Sequence, residues 1–229
     1  MTAWDNDADL FAAARRELFV AAVGDVLDRM GLQRQFVGPA IKPIDPGMVI
    51  LGRAMPVLEA DFCEQGERGR GPLGGKKFGL MFEALDDLRP GEVYICAGAS
   101  PTFALWGGLM TTRALACGAA GAVLHGYHRD TNEILRLNFP VASFGSYAQD
   151  QGVRGKVIDF RVPIELDGVR VNEGDVVYGD RDGVLIVPKP AVAEAFAGAF
   201  EKVRAENKVL EALQGGMSTV EAFRTFGVM

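Results

Sequence analysis

Residues 125–134, HGYHRDTNEI, contain both histidines of the chain beside Arg129 and Asp130. The planar guanidinium of an arginine binds a carboxylate or phosphate through two parallel hydrogen bonds. An aspartate supplies hard oxygen ligands for a divalent cation. An arginine next to an aspartate is also commonly a surface ion pair, so the residue types alone leave a functional and a structural interpretation open.

The two histidines have three interpretations. His125 and His128 could ligate a metal together with Asp130, line a polar site, or simply pack. Only one acid stands beside them, and no HExxH helix presents them as a pair of zinc ligands. We therefore favour lining or packing over metal ligation.

The elements around this segment alternate between apolar strands and helices. Strands are predicted at 91–98, 119–126 and 139–145, and helices at 102–118 and 131–138. This βαβαβ order predicts parallel strands. Ligands of open α/β sheets collect beyond the carboxyl ends of the strands. The turn after the first strand and the turn with Arg129 and Asp130 are therefore expected to open into one crevice.

Gly107 and Gly108, in the stretch WGGLM, lie near the start of the predicted helix 102–118. Unpaired amides and the positive end of a helix dipole favour bound anions, and glycines let the backbone approach a ligand closely. Close packing of the helix on the sheet explains the two glycines equally well.

The flanks predict one α/β domain over residues 1–229. An amphipathic helix is expected over 8–31, a core over 48–188 and C-terminal helices over 189–226. Within the core, strand segments are expected at 48–51 and 54–58. Asp-Gly and Glu-Gly turns between the short β runs that follow residue 154 predict hairpins.

Residues 61–79, DFCEQGERGRGPLGGKKFG, are rich in glycine and charge. The stretch is either a solvated surface loop or a lid that carries basic side chains over an anionic ligand. The candidate side chains for such a lid are Arg68, Arg70, Lys76 and Lys77.

The composition, 48% hydrophobic and 24% charged with a net charge of -6, is that of a soluble globular protein and argues against nucleic acid or an anionic membrane as partner. Three cysteines without a CxxC pair argue against a disulfide framework and against a structural zinc site. The acidic start and the lack of an apolar run of about 18 residues predict a cytoplasmic protein. No GxSxG, P-loop or GxGxxG motif is present.

Four segments together resemble the RraA-like family, which includes the class II 4-hydroxy-4-methyl-2-oxoglutarate/4-carboxy-4-hydroxy-2-oxoadipate aldolases. They are GDVLDRMG, WGGLMTTRALACGAAGAVLHGYHRD, FPVASFG and GVRVNEGDVVYGDRDGVLIVP. The resemblance runs from about residue 19 to the C-terminus. It implies an α/β fold of the swivelling β/β/α type, like the phosphohistidine domains. It also implies trimers or hexamers with active sites between subunits.

The resemblance also implies a site that acts on small 2-oxo acids with Mg²⁺ or Mn²⁺. Asp130 would ligate the metal, with waters completing the shell, and Arg129 would hold the oxo and carboxylate oxygens of the substrate. The backbone amides of Leu109 and Met110, after Gly107 and Gly108, would hold the carboxylate. Glu206, on the C-terminal helix of a neighbouring subunit, would support a metal-bound water. A cation and an arginine aimed at the oxo group would stabilise an enolate as its charge develops.

One position departs from the family pattern. The aldolases carry an acid where this chain has Gly108, and the resemblance implies that this acid positions the water that protonates the enolate. Either His125, His128 or a residue of the lid replaces it, or the reaction differs from aldol cleavage. The family also includes a ribonuclease regulator, which lacks the aspartate that follows the arginine.

The leading hypothesis is a metal-dependent lyase that cleaves an aldol or decarboxylates an oxaloacetate-like acid. A non-catalytic regulator is the second hypothesis, motivated by Gly108. A metal-dependent isomerase or hydratase with a histidine base is the third.

Overall fold

The computed structural model describes residues 4–62 and 71–227. The chain divides into two compact units, a helical unit (Met1–Gln33 with Pro190–Met229) and a sheet unit (Arg34–Lys189). The helices of the described residues are α1 Asp7–Glu17, α2 Val20–Arg29, α3 Met81–Asp86, α4 Gly108–Ala116, α5 Thr131–Arg136, α6 Val192–Gln214 and α7 Thr219–Phe226.

The strands all belong to the sheet unit. They are β1 Lys42–Pro43, β2 Ile50–Asp61, β3 Glu92–Ala97, β4 Ala104–Trp106, β5 Gly121–Leu124, β6 Tyr127–His128, β7 Val141–Ser143, β8 Gly155–Phe160, β9 Ile164–Leu166, β10 Val169–Val171, β11 Val176–Asp180 and β12 Gly183–Val187.

The main sheet has the strand order β1-β7-β5-β3-β2-β11-β12, with β8 also paired to β2. The pairs β2/β3, β3/β5 and β5/β7 are parallel, and the outer pairs are antiparallel. The predicted parallel βαβαβ core is therefore confirmed, as is the mixed α/β class. The finer swivelling-domain description stays a prediction.

Each face of this sheet carries its own apolar cluster. Along β3, Tyr94 and Cys96 belong to one cluster, whereas Val93 and Ile95 belong to the other. Successive side chains of a strand point to opposite faces, so a strand covered on both sides must be apolar throughout. This is why GEVYICAG shows a continuous apolar run without alternation.

The predicted single helix over 8–31 is wrong, because α1 and α2 are separated by two extended residues, Leu18 and Phe19. Leu10 and Ala14 are the buried positions of α1, whereas α2 buries a different stripe that begins at Val20. The apolar pattern changes phase between the two stripes, and a continuous helix could not bury both.

The predicted helix 102–118 begins later, because residues 104–106 form β4, which pairs in parallel with β6. The two strand segments expected at 48–51 and 54–58 form one long strand, β2. Between β9 and β10, Asp167 and Gly168 both have positive φ values, 49° and 83°. A two-residue type I′ turn requires this, so the hairpin prediction from Asp-Gly is confirmed.

The long helix predicted near the C-terminus is confirmed as α6, followed by α7. Of the predicted lid, Arg68 and Arg70 lie outside the described residues, and Lys76 forms an ion pair with Glu83 on α3. No helix in the described part of the chain is long and apolar enough to cross a bilayer.

Candidate active site

The parallel pairing of β4 with β6 places two turns side by side. Trp106 is in register with His128, and the Arg129 amide donates to the Trp106 carbonyl at 2.9 Å. Gly107 and Gly108 follow β4, and Arg129 and Asp130 follow β6. The expectation that both turns open into one crevice is therefore confirmed.

Asp130 is held against the start of α4. It stands at the N-cap position of α5 with φ 58° and ψ 37°, but its side chain does not cap that helix. Its Oδ2 instead accepts a hydrogen bond from the Gly108 amide at 3.0 Å. A Cβ at residue 107 would lie 2.7 Å from this oxygen, so Gly107 is required for the close approach.

The N-terminus of α4 is aimed at the same place. Its N-cap is Gly107, which offers no side-chain hydrogen bond. The Gly108 amide donates to Asp130, and the Thr111 amide donates to the Gly107 carbonyl at 3.0 Å. The amides of Leu109 and Met110, which lie between them, have no acceptor within a helix, because the first-turn N–H groups never do. They can hold an anion.

Arg129 is about 40% exposed and partly engaged. Its Nη1 lies 2.9 Å from Asp150 Oδ1, and its Nε is 4.0 Å from Asp130 Oδ2. Asp150 Oδ2 also accepts a hydrogen bond from the Gly152 amide at 2.9 Å, which fixes the carboxylate. Asp150 thus orients the guanidinium toward the crevice.

These groups border a cavity of about 480 Å³. One end is polar, with Arg129, Asp130, Asp150 and Gln151. The rest of the wall is mainly apolar, with two further charged residues, Asp86 and Arg113. Its residues are Phe78, Met81, Phe82, Leu85, Ala104, Leu105, Trp106, Gly107, Leu109 and Met110. A smaller cavity of about 270 Å³ is also lined by Arg129 and Asp130, together with Thr131, Ser146, Tyr147 and Ala148.

The two histidines lie elsewhere. His128 is buried, with Nδ1 2.8 Å from Ser143 Oγ and Nε2 3.0 Å from Thr131 Oγ1. Burial lowers the pKa of His128, which favours the neutral ring. His125 Nε2 is 3.0 Å from Asp167 Oδ1. Neither histidine is among the residues that line the two cavities, and their predicted catalytic roles stay predictions.

Glu206 belongs to α6 of the helical unit, whereas Asp130 belongs to the sheet unit. Its carboxylate forms an ion pair with Lys202, which also lies 3.2 Å from Asp25. The role expected for Glu206, support of a metal-bound water from a neighbouring subunit, stays a prediction.

The donor set suits a hard cation held mainly by water. The described residues contain no group of three or more His, Cys, Asp or Glu side chains arranged around one point. Asp130 is about half exposed and presents hard oxygens beside the cavity. Mg²⁺ commonly binds through one or two carboxylates and keeps several waters, so a lone aspartate fits Mg²⁺ or Mn²⁺ better than zinc.

A buried acid lies behind the cavity wall. Glu59 is 2% exposed, and Gln151 donates Nε2–H to its Oε2 at 2.7 Å. Burial raises the pKa of Glu59 to about 8, although hydrogen bonds from Cys96 and Gln151 oppose the shift. Glu59 is therefore mainly protonated at neutral pH.

Sequence reasoning missed Glu59, Asp150 and Gln151. A signal existed for Glu59, because strand alternation puts it on the same face as Met55 and Val57, which are buried. The connection from β7 to β8 has no periodic pattern of apolar residues. Nothing in its sequence distinguishes Asp150 or Gln151 from other polar residues.

Residues 20–186 match the sequence model of the RraA-like family (Aldolase/RraA). Protein DlpA of Legionella pneumophila is 27% identical over 89% of this chain, but the match covers 31% of that protein. The chain thus spans less than a third of DlpA. A putative 4-hydroxy-4-methyl-2-oxoglutarate aldolase of Halalkalibacterium halodurans is 26% identical over 93% of both chains.

Solved structures show the same fold. An uncharacterized protein from Pseudomonas syringae has a TM-score of 0.82 at 24% identity and covers 99% of this chain and 98% of its own. RraAS2 of Streptomyces coelicolor, described as an unusual member of the RNase ES inhibitor RraA protein family, has a TM-score of 0.74 at 22% identity. That match covers 89% of this chain and 97% of RraAS2.

Proposed function

Because the chain belongs to the RraA-like family, we propose that it is a divalent-metal-dependent lyase of 2-oxo acids. It would act by retro-aldol cleavage or by decarboxylation of an oxaloacetate-type substrate, in both cases through a pyruvate enolate. The observation that carries the proposal is the convergence of Arg129, Asp130 and the first-turn amides of α4 on one end of a cavity.

Arg129 and the α4 amides bind and orient the substrate. The amides of Leu109 and Met110 take the carboxylate, where the helix dipole adds a favourable field. Arg129, fixed by Asp150 at 2.9 Å, keeps donors for the oxo oxygen. A positive group held in place before the reaction stabilises charge as it develops on that oxygen.

Asp130 would hold the Mg²⁺ or Mn²⁺ ion. When bound there, the ion supplies positive charge beside the substrate oxygen that becomes negative in the enolate. The hydrogen bond from the Gly108 amide at 3.0 Å fixes the carboxylate in place. Leu105 and Trp106, which is 1% exposed, form an apolar part of the cavity wall next to this site.

The proton that completes the reaction needs a source other than residue 108. Asp150 is an acid of the cavity wall at the polar end. Glu133 is near Gly108, since its Cγ would lie 2.9 Å from a Cβ there, but it does not line the cavity and pairs with Arg136 at 2.6 Å. We assign to Asp150 the orientation of the water that protonates the enolate carbon.

The test is pyruvate release from oxaloacetate and from 4-hydroxy-4-methyl-2-oxoglutarate, with Mg²⁺ or Mn²⁺ and with a chelator. Turnover that needs metal and is abolished by Asp130→Ala supports the proposal. Asp182→Asn, an exposed aspartate in the turn between β11 and β12, is the matched control. Undiminished turnover by the Asp130→Ala protein would contradict it.

The regulator is the second candidate, favoured by the glycine at 108 and by the structural likeness to RraAS2. It predicts no turnover of 2-oxo acids and no binding of Mg²⁺ or Mn²⁺ in calorimetry. The isomerase or hydratase with a histidine base has less support, because neither His125 nor His128 lines the cavity.

A further inference from the structure

The charged groups of the cavity lining form two sets, Arg129, Asp130 and Asp150 beside α4 and the Arg113–Asp86 ion pair beside α3. The polar end of the cavity, described above, accounts for the binding of a single carboxylate and an adjacent oxo group. Another part of the wall is formed by α3 and by Phe78, three residues before it, with Phe78, Met81, Phe82 and Leu85 lining the space. The part of a substrate that extends from the oxo acid toward α3 therefore contacts mainly apolar side chains.

The apolar wall is ordered by its own packing. Met81 and Leu85 are buried on α3, 7% and 4% exposed, and belong to the core cluster beneath it. The rings of Phe78 and Phe82 contact each other edge to face with centroids 5.6 Å apart. Phe82 is itself 59% exposed, so the wall presents a large aromatic surface at the cavity.

The charges near this wall are already paired. Arg113 Nε donates to Asp86 Oδ1 at 2.8 Å, and both residues border the cavity. Lys76 pairs with Glu83 on α3. Within residues 4–62 and 71–227, the cavity lining has no cation at this end that lacks an acidic partner. A second carboxylate placed here would find no unpaired cation among the described lining residues and would displace water from apolar side chains.

We propose that the substrate is a 2-oxo acid whose distal substituent is an apolar aliphatic or aromatic group, and not a second carboxylate. The proposal rests on the proposed lyase function and specifies its substrate class. A cavity of about 480 Å³ accommodates the oxo acid together with such a group. Burial of each methylene against this wall is expected to raise affinity roughly fourfold.

The corresponding reaction is a retro-aldol cleavage of R–CH(OH)–CH₂–CO–COO⁻. The bond between C3 and C4 breaks, and its electron pair passes to C3 and the oxo group as the enolate of pyruvate. The C4 hydroxyl gives its proton to water as its O–H electron pair forms the C=O bond, and C4 becomes the aldehyde R–CHO. Protonation of C3 then gives pyruvate, so no oxidant or further reactant is needed. R lies against Phe78, Phe82 and Leu85.

Turnover gives the first test. Pyruvate release with Mg²⁺ is compared between 4-hydroxy-2-oxo-4-phenylbutanoate and 4-hydroxy-4-methyl-2-oxoglutarate. We expect kcat/KM to favour the phenyl compound by at least about tenfold, the discrimination expected from a few buried methylene equivalents. Equal values, or a preference for the diacid, would overturn the proposed substrate class.

Binding separates this inference from the lyase proposal. Calorimetry compares 2-oxo-4-phenylbutanoate with 2-oxoglutarate, neither of which has the C4 hydroxyl that the cleavage requires. Tighter binding of the phenyl compound supports the apolar end even if no substrate is cleaved, in which case the lyase proposal alone fails. Tighter binding of 2-oxoglutarate overturns the inference whether or not the enzyme cleaves aldols.

Three variants sharpen the result. Phe82→Lys adds a cation to the wall at an exposed position and should shift the preference toward the diacid, whereas Phe82→Leu should retain the wild-type preference. Asp86→Asn removes the partner of Arg113 and should also strengthen binding of 2-oxoglutarate. An unchanged ratio in both Phe82→Lys and Asp86→Asn would show that the distal group does not reach this wall.

Discussion

Two arginines of the sheet unit contact acids but differ in how completely they are paired. Arg161 is 13% exposed and contacts Asp87, Glu92 and Glu173, the last two at 2.8 and 2.6 Å. Arg129 is 40% exposed and has one short ion pair, to Asp150. The guanidinium of Arg161 is saturated by the protein, whereas that of Arg129 keeps donors directed at a cavity.

An arginine stabilises the fold where acids pair all of its N–H donors, and it can bind a ligand where some of these donors stay unpaired. The hydrogen bonds that Arg161 donates to the Glu92 carboxylate are the largest cause that raises the pKa of Arg161. Those bonds link the start of β3 to the segment after β8. Removal of Arg161 should therefore destabilise the fold, and removal of Arg129 should abolish activity.

The largest expected effect is on catalysis. Arg129→Ala should lower kcat/KM for the best 2-oxo acid by about 10³-fold, because the charge on the reacting oxygen loses a preorganised donor. The melting temperature should hardly change, since the ion pair with Asp150 is exposed. Steady-state kinetics and calorimetric melting measure the two effects, and a loss of less than about fivefold would place Arg129 outside the reaction.

The opposite pattern is expected for the saturated arginine. Arg161→Met should lower the free energy of unfolding by about 3 kcal/mol, because Glu92 and Asp87 are left without their partner. Urea denaturation measures this cost. The folded fraction should retain the wild-type kcat, and a parallel loss of kcat would remove the distinction between the two arginines.

Glu59 adds a pH dependence. In the unfolded chain its carboxyl has a pKa of 4.5, and in the folded protein burial raises it to about 8. Between these values the folded state binds more protons than the unfolded state, so the stability falls as pH rises, by a few kcal/mol in all. Below pH 4.5 this loss is absent, and above pH 8 it is complete.

Glu59→Gln stays neutral and keeps an oxygen that can accept from Gln151. The difference in unfolding free energy between this variant and the wild type should therefore move in favour of the variant from pH 5 to pH 9. Urea denaturation at several pH values gives the difference. A constant difference over that range would show that Glu59 does not titrate as its burial indicates.

The smallest effect concerns the two glycines of the turn. Gly107→Ala places a Cβ 2.7 Å from Asp130 Oδ2 and should lower activity about 10- to 100-fold, since displacement of a positioned group by an ångström has this size of effect. In Gly108→Ala the new Cβ would lie 2.9 Å from Glu133 Cγ, and the exposed Glu133 side chain can move away. Activity should then stay within about threefold of wild type, and equal losses in both variants would contradict the assignment of Asp130.

The sequence predicted the centre of the site because its residues follow consecutive elements. Apolar runs located β3 and β5, and the rule for parallel sheets then placed Arg129, Asp130 and the Gly107–Gly108 turn at one edge. The resemblance to the RraA-like family added roles for these residues. The match over residues 20–186 shows family membership, and the roles of the individual residues stay predictions.

Other parts of the molecule could not be predicted from local pattern. β4 has three residues, and its sequence, ALW, suits a helix as well as a strand; its pairing with β6 decides the matter. The break at Leu18 and Phe19 carries no glycine or proline. Asp150 reaches Arg129 through tertiary structure alone, across 21 residues of the chain.

The most direct test of the central claim is a titration of the protein with Mn²⁺, followed by electron paramagnetic resonance, for the wild type, Asp130→Asn and Asp182→Asn. The account predicts one bound Mn²⁺ per chain in the wild type and in Asp182→Asn, and none at the same concentrations in Asp130→Asn. Equal binding by all three proteins would contradict the assignment of Asp130 as the metal ligand, and with it the mechanism proposed for this site.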